Sequence, residues 1–132
     1  GSNSEAMVEL IDISPTLADL AGLKPPGHLQ GISLRPLLGN PDRMGKKKYA
    51  YSVVTRGPKL GYALRNQNWR YGKWPDGEEL YNLRNDPEEK RNLASQIHLT
   101  ERLKEFRATL ATKQIKAASS KHSTTAPHHL NN

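Results

Sequence analysis

The sequence predicts an α+β fold in which a small antiparallel β-sheet of three to four strands, a meander, is packed by a C-terminal helix. Runs rich in Tyr, Val and Trp lie between residues 49 and 83, separated by short polar or proline-containing turns, the pattern of consecutive antiparallel strands. After the last run, apolar residues recur at steps of four, three and four, which is the spacing of one helix face. The length of 132 residues favours one domain over two independent ones.

The first predicted element is a helix over residues 10–21, whose apolar side chains follow the helical period. Pro15 is compatible with the first turn only, and Gly22 suits the position just after a helix end. This helix carries more large apolar side chains than a small domain with a second helix needs. We therefore expect it to pack against a partner outside the chain, or to associate with a second copy. The apolar patch at 32–38, which Pro36 interrupts, is too short for a helix of ordinary length.

The sheet is predicted from four runs, with the bounds 49–55, 61–66, 69–74 and 79–83. The second and third runs are joined by Asn66-Gln67-Asn68, a short polar loop typical of a hairpin. Successive side chains on a strand point to opposite faces. Alternation therefore places Tyr62 and Leu64 on one face of the sheet and Ala63 and Arg65 on the other.

The last predicted element is a helix that covers one face of the sheet with a single apolar stripe, formed by Leu99, Leu103, Phe106 and Leu110. Beyond Ile115 the sequence has almost nothing to bury, so residues 113–132 are predicted to be a disordered tail. Residues 1–7 open with Gly-Ser-Asn and are predicted to be a cloning remnant or flexible start.

The formal charge of +7 is concentrated in one window, since residues 43–73 hold nine cations and no acidic residue. Such a window attracts anionic partners, so one hypothesis is a small polyanion or nucleic-acid binding module with Tyr and Trp side chains as stacking groups. The favoured interpretation of the window is solvated surface charge without a binding role. No apolar run is long enough to span a bilayer, and no signal segment opens the sequence.

The sequence predicts neither a catalytic residue nor a metal site in this chain. It contains no cysteine, so disulfides, thiolate metal sites and a cysteine nucleophile are excluded. No nucleotide-binding, zinc-protease, EF-hand or serine-nucleophile motif is present. His28 and His98 stand alone and the other three histidines lie in the predicted tail, whereas a zinc site needs three or four converging ligands.

Three stretches, in this order along the chain, resemble type I sulfatases. The first is ELIDISPTLADLAGL at 9–23, followed by GISLRPLL at 31–38; the others are GYALRNQNWRYGKW at 61–74 and ELYNLRNDPEEKRNLA at 79–94. They are similar to the Asp-x-x-Pro-Thr-Leu helix, the Arg-Tyr-x-x-Trp hairpin and the Glu-Leu-Tyr-Asp-Leu signature of that family, with the iduronate-2-sulfatase branch nearest. The chain departs from the pattern at Asn66 and Asn82, where Thr and Asp are usual, both conservative changes at turns.

The resemblance implies the C-terminal region of an alkaline-phosphatase-like sulfatase. Residues 8–42 would be the last helix and turn of the large α/β catalytic domain, and residues 43–112 the C-terminal subdomain. The family's nucleophile is a formylglycine made within Cys/Ser-x-Pro-x-Arg beside a calcium ion, and no such motif occurs here. The resemblance therefore implies that the missing N-terminal catalytic domain supplies both, that the substrate is a sulfated glycan, and that the parent is periplasmic, lysosomal or secreted.

Three residues are candidates for the rim of the substrate cleft: Arg65, Lys73 and Trp74, all on the predicted hairpin. A guanidinium suits a carboxylate as well as a sulfate, so an ion pair with a carboxylate of the sheet or of the missing domain is the favoured interpretation of Arg65, and a sulfate contact is the alternative. Core or interdomain packing is likewise favoured for Trp74. The leading hypothesis is a non-catalytic sulfatase fragment that completes the core and shapes the cleft. The polyanion module and self-association through the helix at 10–21 remain alternatives, with nucleic acid the less expected ligand.

Overall fold

Four antiparallel strands in the order β1-β2-β3-β4 form the sheet of the computed structural model, which describes residues 2–121. The elements are a 3₁₀ turn at Leu10–Asp12, α1 (Ile13–Leu20), α2 (Arg35–Gly39), β1 (Ala50–Arg56), β2 (Lys59–Arg65), β3 (Trp69–Trp74), β4 (Gly77–Asn82), a second 3₁₀ turn at Ile97–Leu99 and α3 (Thr100–Lys121). The predicted α+β meander with a C-terminal helix is confirmed.

The strand register gives the sheet two distinct faces. Leu64 pairs with Tyr71 and Tyr71 with Leu80, so these buried side chains share the side that α3 covers. We call it the α3 face. Ala63 and Arg65 lie on the opposite side, as alternation predicted. That side, which also carries Trp74, is called the Trp74 face.

The hydrophobic core lies between the α3 face and α3. Its buried members are Tyr49, Leu64, Tyr71, Leu80, Leu103, Phe106 and Leu110. The predicted apolar stripe of the helix thus supplies three of the seven buried side chains, with Leu99 packed beside them. Phe106 is the centre of this core, because its ring meets Tyr49 edge-on at 5.5 Å and stacks on Tyr71 at 5.6 Å.

α3 is longer than predicted. It continues to Lys121, so the expected disorder is wrong for residues 113–121, while residues 122–132 lie outside the described part. Ala, Lys and Gln have high helix propensity, and each added residue extends an existing ladder at little cost, so the helix persists beyond the sheet without a core to cover. At the other end, the predicted flexible start lies partly against the protein: the Gln67 side chain donates to the Glu5 carbonyl at 3.3 Å.

The turn after α1 is fixed to the helix by its polar side chains. Asp12 accepts from the Ile32 amide at 2.9 Å, and Thr16 accepts from the Leu34 amide at 2.8 Å. A side chain at Gly31 would collide with the Ile11 carbonyl, since a Cβ there would lie 1.9 Å from that oxygen. The apolar patch at 32–38 becomes the single-turn helix α2 because this docking supports it.

Asn92 fixes the connection between β4 and α3. Its side-chain oxygen accepts from the amides of Leu80 and Ala94, and its amide donates to the Glu78 carbonyl, each at 3.0 Å. Asn92→Ala leaves the amide of the buried Leu80 without a partner, so we expect a loss of about 1–3 kcal/mol in the free energy of unfolding.

Urea unfolding monitored by circular dichroism measures this loss. Asn85→Ala, at an exposed turn position, is the matched control and should change stability by less than about 0.5 kcal/mol. Equal effects of the two substitutions would show that the Asn92 hydrogen bonds contribute nothing specific.

Candidate functional site

The three rim candidates do not converge on one surface. Arg65 and Trp74 both lie on the Trp74 face, whereas Lys73 lies on the α3 face. Trp74 stands beside Gly61 in the register, four residues along β2 from Arg65, which is a separation of about 13 Å at the rise of a strand. The Trp74 face can therefore hold Arg65 and Trp74 at the two ends of one extended surface, without Lys73.

Trp74 is positioned by the absence of a side chain beneath it. A Cβ at Gly61 would lie 2.5 Å from the indole ring, so only glycine allows the ring to rest on β2. The Arg56 guanidinium lies over the same ring, 5.0 Å from its centroid, a cation–π contact. Trp74 could be identified from the sequence, but Arg56 could not, because only the sheet brings it beside Trp74 from the end of β1.

Arg65 lies directly opposite Arg70 in the register. Arg70 is held by carboxylates, because its Nη2 lies 2.6 Å from Glu89 and 3.7 Å from Glu79. Its guanidinium also lies 5.1 Å from the Tyr81 ring centroid. Arg65 is exposed and has no ion pair with any residue in the described part of the chain. Among the described residues a carboxylate pair is thus formed by Arg70 and not by Arg65, and pairing of Arg65 with a carboxylate of the missing domain stays a prediction.

Lys73 belongs to a charged cluster on the α3 face. Its ammonium lies 2.9 Å from Glu78, which also binds Arg107 of α3 at 2.7 Å. The hydrogen bond from Arg107, partly opposed by burial, lowers the pKa of Glu78. Burial, followed by the charge of Glu78, raises the pKa of Tyr71 to about 12. This cluster fastens α3 to the sheet, which assigns Lys73 a structural contact.

A second polar cluster, which the sequence analysis missed, ties the front segment to the sheet. Lys47 lies between two carboxylates, forming an ion pair with Glu9 and lying 2.7 Å from Asp12, which is fully buried. Burial alone would raise the pKa of Asp12, but hydrogen bonds from Lys47 and from the Ile32 and Glu9 amides lower it. Glu9 also accepts from the Tyr51 amide of β1 at 2.8 Å.

The front helix presents an apolar surface to solvent. Leu10, Ile13, Leu17 and Leu20, one helix face by their spacing, are all about half exposed or more. We call these four residues the α1 face. Monomeric proteins rarely expose a contiguous apolar surface of this kind unless it is an interaction site.

Neither a metal centre nor a membrane-spanning helix emerges from residues 2–121. Within them, no three His, Cys, Asp or Glu side chains are grouped so as to hold a metal ion. No helix in the described part is long and apolar enough to cross a membrane.

Comparison with known proteins decides the family. The family model described as N-sulphoglucosamine sulphohydrolase, C-terminal, matches residues 1–116. The chain belongs to this family. The match includes residues 1–7, which the sequence analysis set apart.

Relatives of this sulfatase C-terminal chain include two sulfatases of Bacteroides thetaiotaomicron. A Delta 4,5-hexuronate-2-O-sulfatase is 35% identical over 76% of this chain and 22% of its own length. An N-acetylglucosamine-6-O-sulfatase is 30% identical over 86% of this chain and 22% of its own length. The solved structure of a 2-O GAG sulfatase superposes with a TM-score of 0.72 at 30% identity, covering 86% of this chain and 26% of that one.

The sulfatase C-terminal chain therefore spans about a fifth of the length of the curated relatives that it matches. The resemblance to the C-terminal region of sulfatases, drawn from three sequence stretches, is confirmed. An N-terminal catalytic domain is implied as its partner by the family.

Proposed function

We propose that this chain is the non-catalytic C-terminal part of a sulfatase whose parent protein hydrolyses sulfate esters of glycans. The observation that carries the proposal is the match over residues 1–116 to a sulfatase C-terminal family. The formylglycine and the calcium ion expected from the resemblance would belong to the N-terminal domain. The carboxylates and histidines of residues 2–121 do not fit a calcium site, because no three of them are grouped.

We further propose 2-O-sulfated hexuronate as the substrate class, which is consistent with an iduronate-2-sulfatase-like parent. A relative named for hexuronate-2-O-sulfate shares 35% identity, compared with 30% for the one named for N-acetylglucosamine-6-O-sulfate. By the family resemblance, such a parent would be periplasmic, lysosomal or secreted.

The α1 face supports an architectural role for the chain. Its exposed leucines and isoleucine need a covering surface, and burial of a large aliphatic side chain contributes about 1.5–3 kcal/mol. We propose that the catalytic domain provides that surface.

The polyanion-binding hypothesis is not favoured. Five of the nine cations in residues 43–73 form ion pairs within the chain: Lys47, Lys48, Lys59, Arg70 and Lys73. A sixth, Arg56, lies over Trp74. The charge of the first five is matched by neighbouring carboxylates, so the window does not form one continuous basic surface.

The experiment is a sulfate-release assay on the full-length protein and on this chain alone, with and without calcium. The substrates are an aryl sulfate, a 2-O-sulfated hexuronate disaccharide and a 6-O-sulfated glucosamine. The proposal expects turnover by the full-length protein only, with the hexuronate preferred. Turnover by this chain alone, or none by the full-length protein, would refute it.

Arg65 is the residue that we propose contacts an anionic substrate group at the cleft rim, with Trp74 as the apolar end of the same surface. Arg65→Gln in the full-length enzyme is expected to raise KM about tenfold with little change in kcat, since a hydrogen bond to a charged group contributes about 1.5–3 kcal/mol and solvent reduces it at an exposed site.

Steady-state kinetics on the 2-O-sulfated disaccharide measures this change. Arg84→Gln, an exposed arginine at the end of β4, is the matched control and should leave KM unaltered. A KM for Arg65→Gln equal to the control value would place Arg65 outside the cleft.

A further inference from the structure

A groove of about 1020 Å³ runs between the front segment, the outer edge of β1 and the far end of α3. Val8 and Ile11 line one wall, Val53 lies on the floor, and Lys113 and Lys116 form the rim on α3. The groove exists because α3 continues past the sheet to Lys121. It is adjacent to the α1 face, because Leu10 and Ile13 line both.

The surface of this groove is apolar and accessible. Val8, Leu10, Ile11, Ile13 and Val53 are each between 46% and 85% exposed, and a surface of this kind marks an interaction site more often than bare solvent contact. Lys113 and Lys116 add positive charge on the α3 side, whereas Lys47, which also lines the groove, is paired with Glu9 and Asp12. A matching ligand would therefore be largely apolar, with an acidic group placed at the lysine rim.

The floor of the groove is also an unpaired strand edge. β1 is the first strand of the sheet and, within residues 2–121, pairs with β2 alone. The Tyr51 amide points outward, where the Glu9 carboxylate accepts it. Because alternate residues of an antiparallel strand direct their backbone groups to the same side, the Val53 amide and carbonyl also face the groove. An exposed edge of this type accepts a further polypeptide segment.

We propose that this groove holds a segment of the sulfatase's own catalytic domain. The segment forms hydrogen bonds with the backbone of Val53 and places a carboxylate beside Lys113 and Lys116. The inference rests on the proposed function. It is supported by the roughly four-fifths of the relatives' length that lies outside the match, by continuity of the groove with the α1 face, and by the positive charge of Lys113 and Lys116 on its α3 side. The groove would thus extend the domain contact from α1 onto β1 and α3.

The test compares Val53→Lys with Val54→Lys in the full-length enzyme. Both valines are about half exposed, at 51% and 48%, but only Val53 faces the groove, while Val54 lies on the Trp74 face. We expect Val53→Lys to lower Tm by at least about 3 °C and Val54→Lys to lower it by less than about 1 °C. Lys116→Glu should lower Tm in the same way as Val53→Lys.

Hydrogen exchange on the full-length enzyme gives an independent readout. In the wild-type enzyme, the backbone amide of Val53 should exchange at least tenfold more slowly than the amide at the same position in the Val53→Lys enzyme. Free exchange at Val53, equal effects of the two lysine variants, or a larger effect of Val54→Lys would overturn the proposal.

Sedimentation tests whether a second copy of the protein occupies the groove instead. A wild-type dimer that the Val53→Lys substitution dissociates would assign the groove to a second copy and overturn the proposal. Sulfate release by the wild type is measured separately. If that activity is absent while the Val53 and Val54 variants still differ, the proposed function fails but docking of the preceding domain stands.

Discussion

Phe106→Ala is expected to lower the free energy of unfolding of this chain by about 3–5 kcal/mol. The ring is completely buried and contacts Tyr49 and Tyr71 at 5.5 and 5.6 Å between centroids. Truncation removes the transfer energy of the ring and leaves a cavity that the sheet cannot close, because the four paired strands hold the floor of the core in place. The loss falls on the hydrophobic layer between α3 and the sheet.

Urea unfolding followed by near-ultraviolet circular dichroism of the core tyrosines measures the change. The matched control is Lys104→Ala on the same helix. The Lys104 ammonium pairs with Glu101 at the surface, and this pair should contribute less than about 0.5 kcal/mol. If Phe106→Ala cost less than 1.5 kcal/mol, α3 would not be packed on the sheet as the structure has it.

The sheet and its covering helix could be predicted from the sequence because their signals are local. Alternation along β2 correctly separated Leu64 from Arg65, and the four-three-four spacing correctly identified Phe106 as a core residue. The end of α3 could not be predicted in this way. Low apolar content after Ile115 indicates that nothing is buried there, but a helix can continue on backbone hydrogen bonds and propensity alone.

The clusters formed by residues far apart in the chain could not be predicted from the sequence. Lys47 is 35 residues from Asp12, and its sequence context is a run of three lysines that indicates only surface charge. Lys73 and Trp74, by contrast, are neighbours in the chain and were grouped as candidates for one site. Because successive side chains of a strand point to opposite faces, the two residues lie on different sides of the sheet.

Lys47→Met is expected to lower the free energy of unfolding by about 3–5 kcal/mol at neutral pH. Methionine keeps the apolar stem but removes the ammonium that lies between Glu9 and Asp12. Both carboxylates are largely or fully shielded from water, with 8% and 0% side-chain exposure. A buried charge without a partner strongly destabilises the fold, whereas an intact buried ion pair contributes little net free energy to stability. The variant therefore measures the cost of breaking the cluster, and the front segment should detach from β1 first.

The pH dependence of that loss follows from Asp12. Its folded pKa lies below the usual 3.8 despite burial, so its contribution to stability is present above 3.8 and disappears as the pH falls through the folded pKa. Without Lys47 the contribution of Asp12 to stability is reduced. The difference in free energy of unfolding between wild type and Lys47→Met should therefore become smaller below pH 3.8. Lys48→Met is the matched control, because the neighbouring lysine pairs with Glu105 at the surface and should contribute at most about 1 kcal/mol. Similar losses for both lysines, or a difference that is independent of pH, would mean that the backbone amides of Glu9 and Ile32 suffice to hold Asp12 ionised. The front segment would then be held to β1 by the hydrogen bond from the Tyr51 amide to Glu9 rather than by Lys47.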